Sequence, residues 1–395
     1  MTSRSFFKCF APFVAVVFSA WMAQANIESI QPDSATGTAK AVVVDRLPLA
    51  HTAQVFPVGK KGEVVAQGEI AKQTEQVLEN LNTVLKKAKS DLGQVVKLNI
   101  YVANAELTEP VTRVLAKRFP GKQKPAVAFT GGELPMPGAL VAMDAVAVSR
   151  LKTRGSAPVH FLDKDARHSL VTVLPPDGAV YLAVLATRGD LAPATRETMQ
   201  KIEEAIAHLG LKRSDIVQLK AFLLPMSRVE EVKSVIAEFF GGETVPPVIY
   251  YEWMSGSVPI EIEAIAAAPA SKAESTITYH TPTGITASPV YSRLARVHGG
   301  KRIYISGLYG TSEPEKDIKE IYEQLDALLE RTGSSRDHMA KATYYFSDPK
   351  SNSRLDAFRP GYYNPKTPPT ASKTRVKDVG QPGRGIAIDM IAITK

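Results

Sequence analysis

The chain has 395 residues, 44% of them hydrophobic and 22% charged, with a mean hydropathy of −0.08. At about 100–200 residues per domain this length allows two to four domains, and the composition excludes a disordered tail protein and a polytopic membrane protein. The 48 basic against 40 acidic residues leave +8 at pH 7, a mild excess without a dense Lys/Arg block, so no nucleic-acid partner is expected.

Arg4 and Lys8 precede an apolar run from Phe10 to Met22 that ends at Ala23-Gln24-Ala25. A short basic region, an apolar core of about 13 residues and an A-x-A end predict a signal peptide over residues 1–25, cleaved after Ala25; the run is too short to span a bilayer comfortably. The one cysteine, Cys9, lies in this segment. The mature chain is therefore expected to carry no thiol, which excludes disulfides and cysteine ligands or nucleophiles. Its balance becomes 46 basic against 40 acidic, or +6. A secreted or periplasmic protein is expected, with no membrane association after signal removal.

Residues 26–38 read as an unstructured lead-in. Beyond them, three features recur in the same order. Three amphipathic helices carry Val77, Leu78, Leu81, Val84 and Leu85; Met199, Ile202, Ile206 and Leu209; and Ile318, Tyr322, Leu325 and Leu329. Each shows the spacing of one buried stripe. An apolar strand follows each helix: Val95–Val102, Ile216–Leu223 and Lys341–Phe346. Leu81, Ile202 and Leu325 lie at offsets of 121 and 123, and so do Tyr101, Phe222 and Tyr345. A second helix is clear over Val229–Phe240, weaker over Val111–Phe119, and replaced by a looser stretch near Leu355–Phe358. Pro125, Pro246-Pro247 and Pro368-Pro369 then start an extended segment. The closing strands are Val141–Val148, Ile260–Ala266 and Ile386–Ile393. Two short strands precede each first helix, best seen in Val290–Val297 and Arg302–Ser306. Lys152–Pro158 and Ala268–Ser275 read as linkers. The prediction is three α+β domains, 39–150, 159–268 and 276–395, each β-β-β-α-β-α-β-β.

The third repeat carries Pro289-Val290-Tyr291-Ser292, Ile303-Tyr304-Ile305-Ser306-Gly307 and Ile386-Ala387-Ile388-Asp389-Met390-Ile391-Ala392. The first carries Leu134-Pro135, Pro137-Gly138-Ala139-Leu140-Val141 and Met143-Asp144-Ala145-Val146-Ala147; the second ends in Ile260-Glu261-Ile262-Glu263-Ala264-Ile265-Ala266. These segments resemble the YjgF/RidA family, also called the L-PSP endoribonuclease family, in three diverged copies over nearly all of residues 39–395. The resemblance implies small α+β (chorismate-mutase-like) domains that trimerise with sheets inward and helices outward, and ligand clefts between neighbours. Three tandem copies then predict an intramolecular pseudo-trimer, a monomer in solution, because linked copies meet at an effective concentration free ones cannot reach.

In active members of that family an arginine just after a Pro-Ala pair grips the carboxylate of a 2-imino acid, as a planar guanidinium can do bidentately. Here the position holds Val127, Val248 and Ala371, again at offsets of 121 and 123. A family glutamate thought to position the hydrolytic water is matched by Glu261, the catalytic candidate; Ala142 and Ala387 stand at the other two places. His51-Thr52, His168-Ser169 and Tyr291-Ser292 are aligned at the strand that lines family clefts, and with Ser306 they form the ligand-binding candidates. A histidine there is either an acid/base or a hydrogen-bonded structural residue. Lys373, two residues beyond Ala371, faces the same side of an extended strand and either replaces the arginine as a point charge or is solvated.

No H-E-x-x-H, phosphate loop or nucleophile elbow occurs, and no metal or cofactor is expected. The reading that follows is a protein with degenerate clefts that binds a small metabolite, a carboxylate being one candidate. The alternatives are a diverged imine or enamine deaminase, a ribonuclease, or a scaffold.

Overall fold

The computed structural model describes residues 26–162, 167–254, 256–282, 285–310 and 313–395. The expected signal peptide, with Cys9 and Ala25, lies outside the described residues.

Each repeat runs in the order expected. The first comprises β1 (Ile27–Asp33), β2 (Thr38–Val44), β3 (Leu49–Thr52), α1 (Ile70–Lys87), β4 (Val95–Val102), α2 (Thr108–Arg118), β5 (Ala126–Gly131) and β6 (Val141–Val148). The second comprises β7 (Val159–Leu162), β8 (Ser169–Leu174), β9 (Gly178–Thr187), α3 (Leu191–Ala207), β10 (Ile216–Leu223), α4 (Val229–Phe240), β11 (Val248–Glu252) and β12 (Ile260–Ala268). The third comprises β13 (Ile277–His280), β14 (Leu294–Val297), β15 (Arg302–Ile305), α5 (Asp317–Arg331), β16 (Met339–Phe346), α6 (Pro349–Tyr362), β17 (Thr370–Arg375) and β18 (Ile386–Ile393).

Two expectations are corrected. Residues 26–38 are not a loose lead-in: β1 pairs antiparallel with β2 from Ile27↔Val44 to Asp33↔Thr38. Its signal is weak because it is an edge strand, with only Ile30 fully buried. The stretch near Leu355–Phe358 belongs to a full helix. Asp348 caps α6 by accepting from the Lys350 and Ser351 amides, and Pro349 occupies its first turn. Its inner face is built from Leu355, Arg359 and Tyr362 rather than an aliphatic stripe. Tyr362 packs 4.2 Å from Tyr322 of α5 and Phe358 stacks on that ring at 4.8 Å.

The strands form three equivalent six-stranded sheets, in the orders β5-β4-β6-β3-β8-β7, β11-β10-β12-β9-β14-β13 and β17-β16-β18-β15-β2-β1. Each repeat's opening hairpin therefore completes a neighbour's sheet: β8 pairs with β3, β14 with β9, and β2 with β15. The third sheet joins the first described strands to the last ones. One further pair, Ala39↔Ala126, makes the first and third sheets continuous. A register shift recurs at the same place in all three, between Val95 and Lys97, Ile216 and Gln218, and Met339 and Lys341. Such a bulge re-aims the side chain that follows it.

Helices cover one face of each sheet. Val77, Leu78, Leu81 and Leu85 of α1 are fully buried there, and Lys86 and Lys87 suit the negative helix end. The opposite faces meet in two apolar clusters built from strands of all three repeats. One gathers Val42, Leu49, Val96, Tyr181, Val217, Tyr304 and Ala340. In the other, Tyr251 sits 5.4–5.9 Å from the rings of Tyr101, Phe222 and Tyr345, which hold equivalent positions. Between these clusters lies a polar layer.

Candidate functional site

Val127 and Val248 both line clefts at repeat junctions. The first cleft, of about 380 Å³, places Val127 and Phe129 of β5 opposite Ser306, Gly307 and Tyr309, with Thr38 and Lys40 of β2 on its rim. The second, of about 330 Å³, places Val248 and Tyr250 of β11 opposite Gln54 and Phe56, beside His168, Ser169 and Lys233. Both arginine positions are nearly buried aliphatic wall, 6% and 8% exposed. At the third junction Lys373 holds the place of Phe129 and Tyr250, and its ammonium is committed to Asp356 of α6, 2.9 and 2.7 Å from the two carboxylate oxygens. It is half-buried and ion-paired, not a free replacement for an arginine.

Glu261 lies at this same junction. Its carboxyl is buried under Ser372 of β17, next to Ala371, and its Oε1 has no hydrogen-bond partner. Burial, then the neighbouring Glu263 charge, push its pKa up to about 8, against the opposing pull of Ser372 and Arg293. Near neutral pH it is chiefly a protonated donor. Arg293 is the residue that the sequence reading missed. It stacks over the Tyr291 ring at 5.0 Å and donates from Nη2 to the Tyr291 hydroxyl at 3.3 Å. With Lys201, Glu204 and His208 these two line a groove of about 990 Å³ against α3. Its position two residues beyond Tyr291, on the same side of an extended segment, was the available signal.

The other candidates are mostly structural. Ser306 Oγ donates to Ala39 O at 2.6 Å and accepts from the Val127 amide at 2.7 Å, tying three strands together under the first cleft. Ser169 Oγ donates to Val171 O at 2.9 Å. The Ser292 amide donates to Pro369 O. Thr52 Oγ1 accepts from the Ala145 amide.

The alignment of His51 with His168 and Tyr291 is corrected by the strand register. His51 faces Val146 of β6, as Tyr181 faces Ile265 of β12 and Tyr304 faces Ile391 of β18. His51, Tyr181 and Tyr304 are thus equivalent, and all three point to the axis rather than to a cleft. His168 and Tyr291 remain equivalent to each other, and each lines a cavity.

Two ion pairs in the axial layer join repeats. Lys97 Nζ lies 2.5 Å from Asp389 Oδ1, linking the first and third repeats. Lys341 Nζ lies 2.6 Å from Glu263 Oε2, linking the third and second. The corresponding pair of the remaining junction is Gln218 and Asp144. Gln218 instead donates to Thr52 O at 2.8 Å, while Asp144 accepts from Asn99 Nδ2 at 2.9 Å and the Tyr101 hydroxyl at 2.6 Å. Among the described residues, no group of three or more His, Cys, Asp or Glu could hold a metal ion, and no helix is long and apolar enough to cross a membrane.

The sequence profile of the family described as Endoribonuclease L-PSP matches residues 31–149 and 181–268, together more than half of the chain. The chain belongs to that family. The protein DfrA of Myxococcus xanthus is 30% identical over 129 residues, 32% of this chain and 98% of that protein. A RutC family protein of Pyrococcus horikoshii is 37% identical over 93 residues, 23% of this chain and 72% of its own length. Among solved structures, the Rid protein family member YyfB from Yersinia pestis, titled as of unknown function, is 29% identical and covers 31% of this chain and 98% of its own, with a TM-score of 0.29. DfrA spans about one repeat of the present chain. The third repeat lies outside both profile matches and carries the same strand order in the same sheet arrangement.

Proposed function

We propose that this chain is an exported, monomeric pseudo-trimer whose junction between the second and third repeats binds a small carboxylate-bearing metabolite. One observation carries the reading: no arginine stands at positions 127, 248 or 371, yet the charge of Arg293 bears on Glu261 at the junction that holds the matching glutamate. A guanidinium half-buried against an aromatic ring grips a carboxylate with two parallel hydrogen bonds. A protonated Glu261 then donates to a carbonyl or imine group next to that carboxylate. The first two clefts, walled by Val127 and Val248, offer shape without that charge.

The test is calorimetric titration of the mature chain with 2-oxo acids, stable isosteres of 2-imino acids. Removing Arg293 (Arg293→Ala) deletes a charge-assisted contact and is expected to weaken binding about 10–100-fold. Lys233→Ala, in the second cleft, is expected to leave it unchanged. Binding that survives Arg293→Ala intact refutes the assignment. Glu261 supports one second reading, residual imine hydrolysis. A carboxylate base must be ionised to act, so that activity would rise between pH 6 and the pKa of about 8 and vanish in Glu261→Gln.

A further inference from the structure

The polar axial layer encloses a cavity of about 40 Å³, lined by His51, Lys97, Gln218, Lys220, Lys341 and Tyr304 together with Asn99, Glu263 and Asp389. Its walls thus carry three ammonium groups against two carboxylates. Both carboxylates are already engaged, Asp389 by Lys97 and Glu263 by Lys341. Lys220 is the ammonium without a salt bridge; its charge acts on Asp144, which stands outside the cavity lining and is held by Asn99 and Tyr101. Lys220 is 8% exposed, and its hydrogen bond is a 3.4 Å contact to the Tyr345 hydroxyl, with the Tyr101 ring 5.9 Å away. Among the described residues no carboxylate lies within ion-pair distance of it. His51, 1% exposed, has Gln218 as its polar neighbour and the Tyr304 hydroxyl has that of Tyr181, but neither meets its neighbour in good hydrogen-bond geometry. Just beyond the cavity, Arg302 is 2% exposed, and its charge bears on His51. Cationic groups and poorly satisfied N–H and O–H donors therefore converge on one largely buried space, where water supplies little screening and a charge without a partner is costly.

We propose that this cavity holds a small monovalent anion of chloride size, bound by the ammonium groups of Lys97, Lys220 and Lys341 with His51 and Tyr304 as neutral donors. A water needs roughly 10–15 Å³ of such space, so a cavity of about 40 Å³ admits about three waters or a compact ion with a water or two beside it. The site is separate from the junction clefts. It is a structural one, in which the ion neutralises the meeting point of the three sheets.

The experiment is to unfold the mature chain, refold it with sodium bromide as the only halide, and crystallise it. Anomalous scattering is then measured at the bromine edge. A peak within the cavity, near Lys220 Nζ, is the expected result; density there without an anomalous signal, as for water, overturns the proposal. In solution, chloride is exchanged for gluconate at fixed ionic strength. The melting temperature is expected to rise by about 2 °C per tenfold increase in chloride, as linkage requires of an ion bound by the folded state alone. A flat response overturns the proposal. Lys220→Met is expected to abolish both the peak and the chloride response; persistence of either in that variant also counts against it. Should Lys220→Met fail to fold, the wild-type bromide experiment decides alone.

Discussion

Replacing Asp389 by alanine isolates what joins the first repeat to the third. Lys97 and Asp389 are 4% and 11% exposed, and their closest atoms lie 2.5 Å apart. Without the carboxylate, the Lys97 ammonium keeps the Ile305 carbonyl at 2.7 Å and no counter-charge. Breaking one side of a buried pair costs about 3–5 kcal/mol, most of it the penalty of the stranded charge. For a chain of this length that corresponds to a fall in melting temperature of roughly 4–7 °C. A calorimetric scan of the Asp389→Ala protein measures it, with Lys319→Ala as control. Lys319 and Glu323 are 74% and 62% exposed, and losing such a pair costs less than about 1 kcal/mol. The double variant Lys97→Met/Asp389→Leu should recover most of the loss, since an apolar pair of similar volume removes both charges together. If Asp389→Ala melts within 1 °C of the wild type, or if the two single effects simply add, the reasoning fails.

The pKa of Glu261 predicts a pH dependence with a definite sign. Its carboxyl titrates near 8 in the folded chain and near its ordinary value when unfolded, so the folded state binds the extra proton and stability falls as pH rises between those values. Glu261→Gln should remove that decline, a gain on the order of 3–5 kcal/mol at pH 8 relative to pH 4, read from melting curves across the range. Deleting residues 26–44 strips β1 and β2 from the edge of β15 and removes Ala41 and Val43 from the third repeat's core. The truncated chain should lose its cooperative melt and bind a hydrophobic dye, and a native-like melt would contradict the sheet closure. Sedimentation of the mature protein should give one 40 kDa-scale species, roughly the mass of a single chain; a stable trimer of chains would contradict the pseudo-trimer.

Much of the fold was legible where apolar runs are long and bounded. The extents of β4, β6, β10, β18 and α4 coincide with the ranges read from the sequence, because buried strands and amphipathic helices advertise themselves by burial alone. The hairpin exchange was not legible. Val42 or Val173 alternates in the same way whichever sheet receives it, and only the pairing partner differs. The helix α6 was hidden because its buried face uses tyrosine and a paired arginine. In the site, the absence of the arginine was readable from the offsets of 121 and 123 shared with the helix and strand markers, and Val127 and Val248 line two of the clefts. Arg293 was not legible from the aligned arginine position, which lies in β5, β11 and β17, because this charge enters from the segment before β14. His51 was misassigned because His-Thr and His-Ser look alike in sequence, though they sit on different strands.

Placing three copies in one chain changes what each position is free to become. In a trimer of identical chains a single substitution appears three times around the axis, so a lysine there sets three ammonium groups against one another. Here the axial positions have diverged separately: Lys97, Gln218 and Lys341 in one ring, Asn99, Lys220 and Thr343 in the next, and His51, Tyr181 and Tyr304 in a third. The rings interlock only as an asymmetric set. Where Gln218 gives up a lysine, Lys220 restores the positive charge one pleat further along, and its charge in turn draws down the pKa of Asp144, which burial raises. The same freedom acts at the junctions. One carries Glu261 within the influence of the Arg293 charge, and the other two carry Ala142 and Ala387. A layer of this kind disfavours exchange of one repeat for another, since each misplacement would strand a buried charge at a cost of several kcal/mol. The axial charges thus fix which sheet meets which, while the junctions vary without disturbing that order.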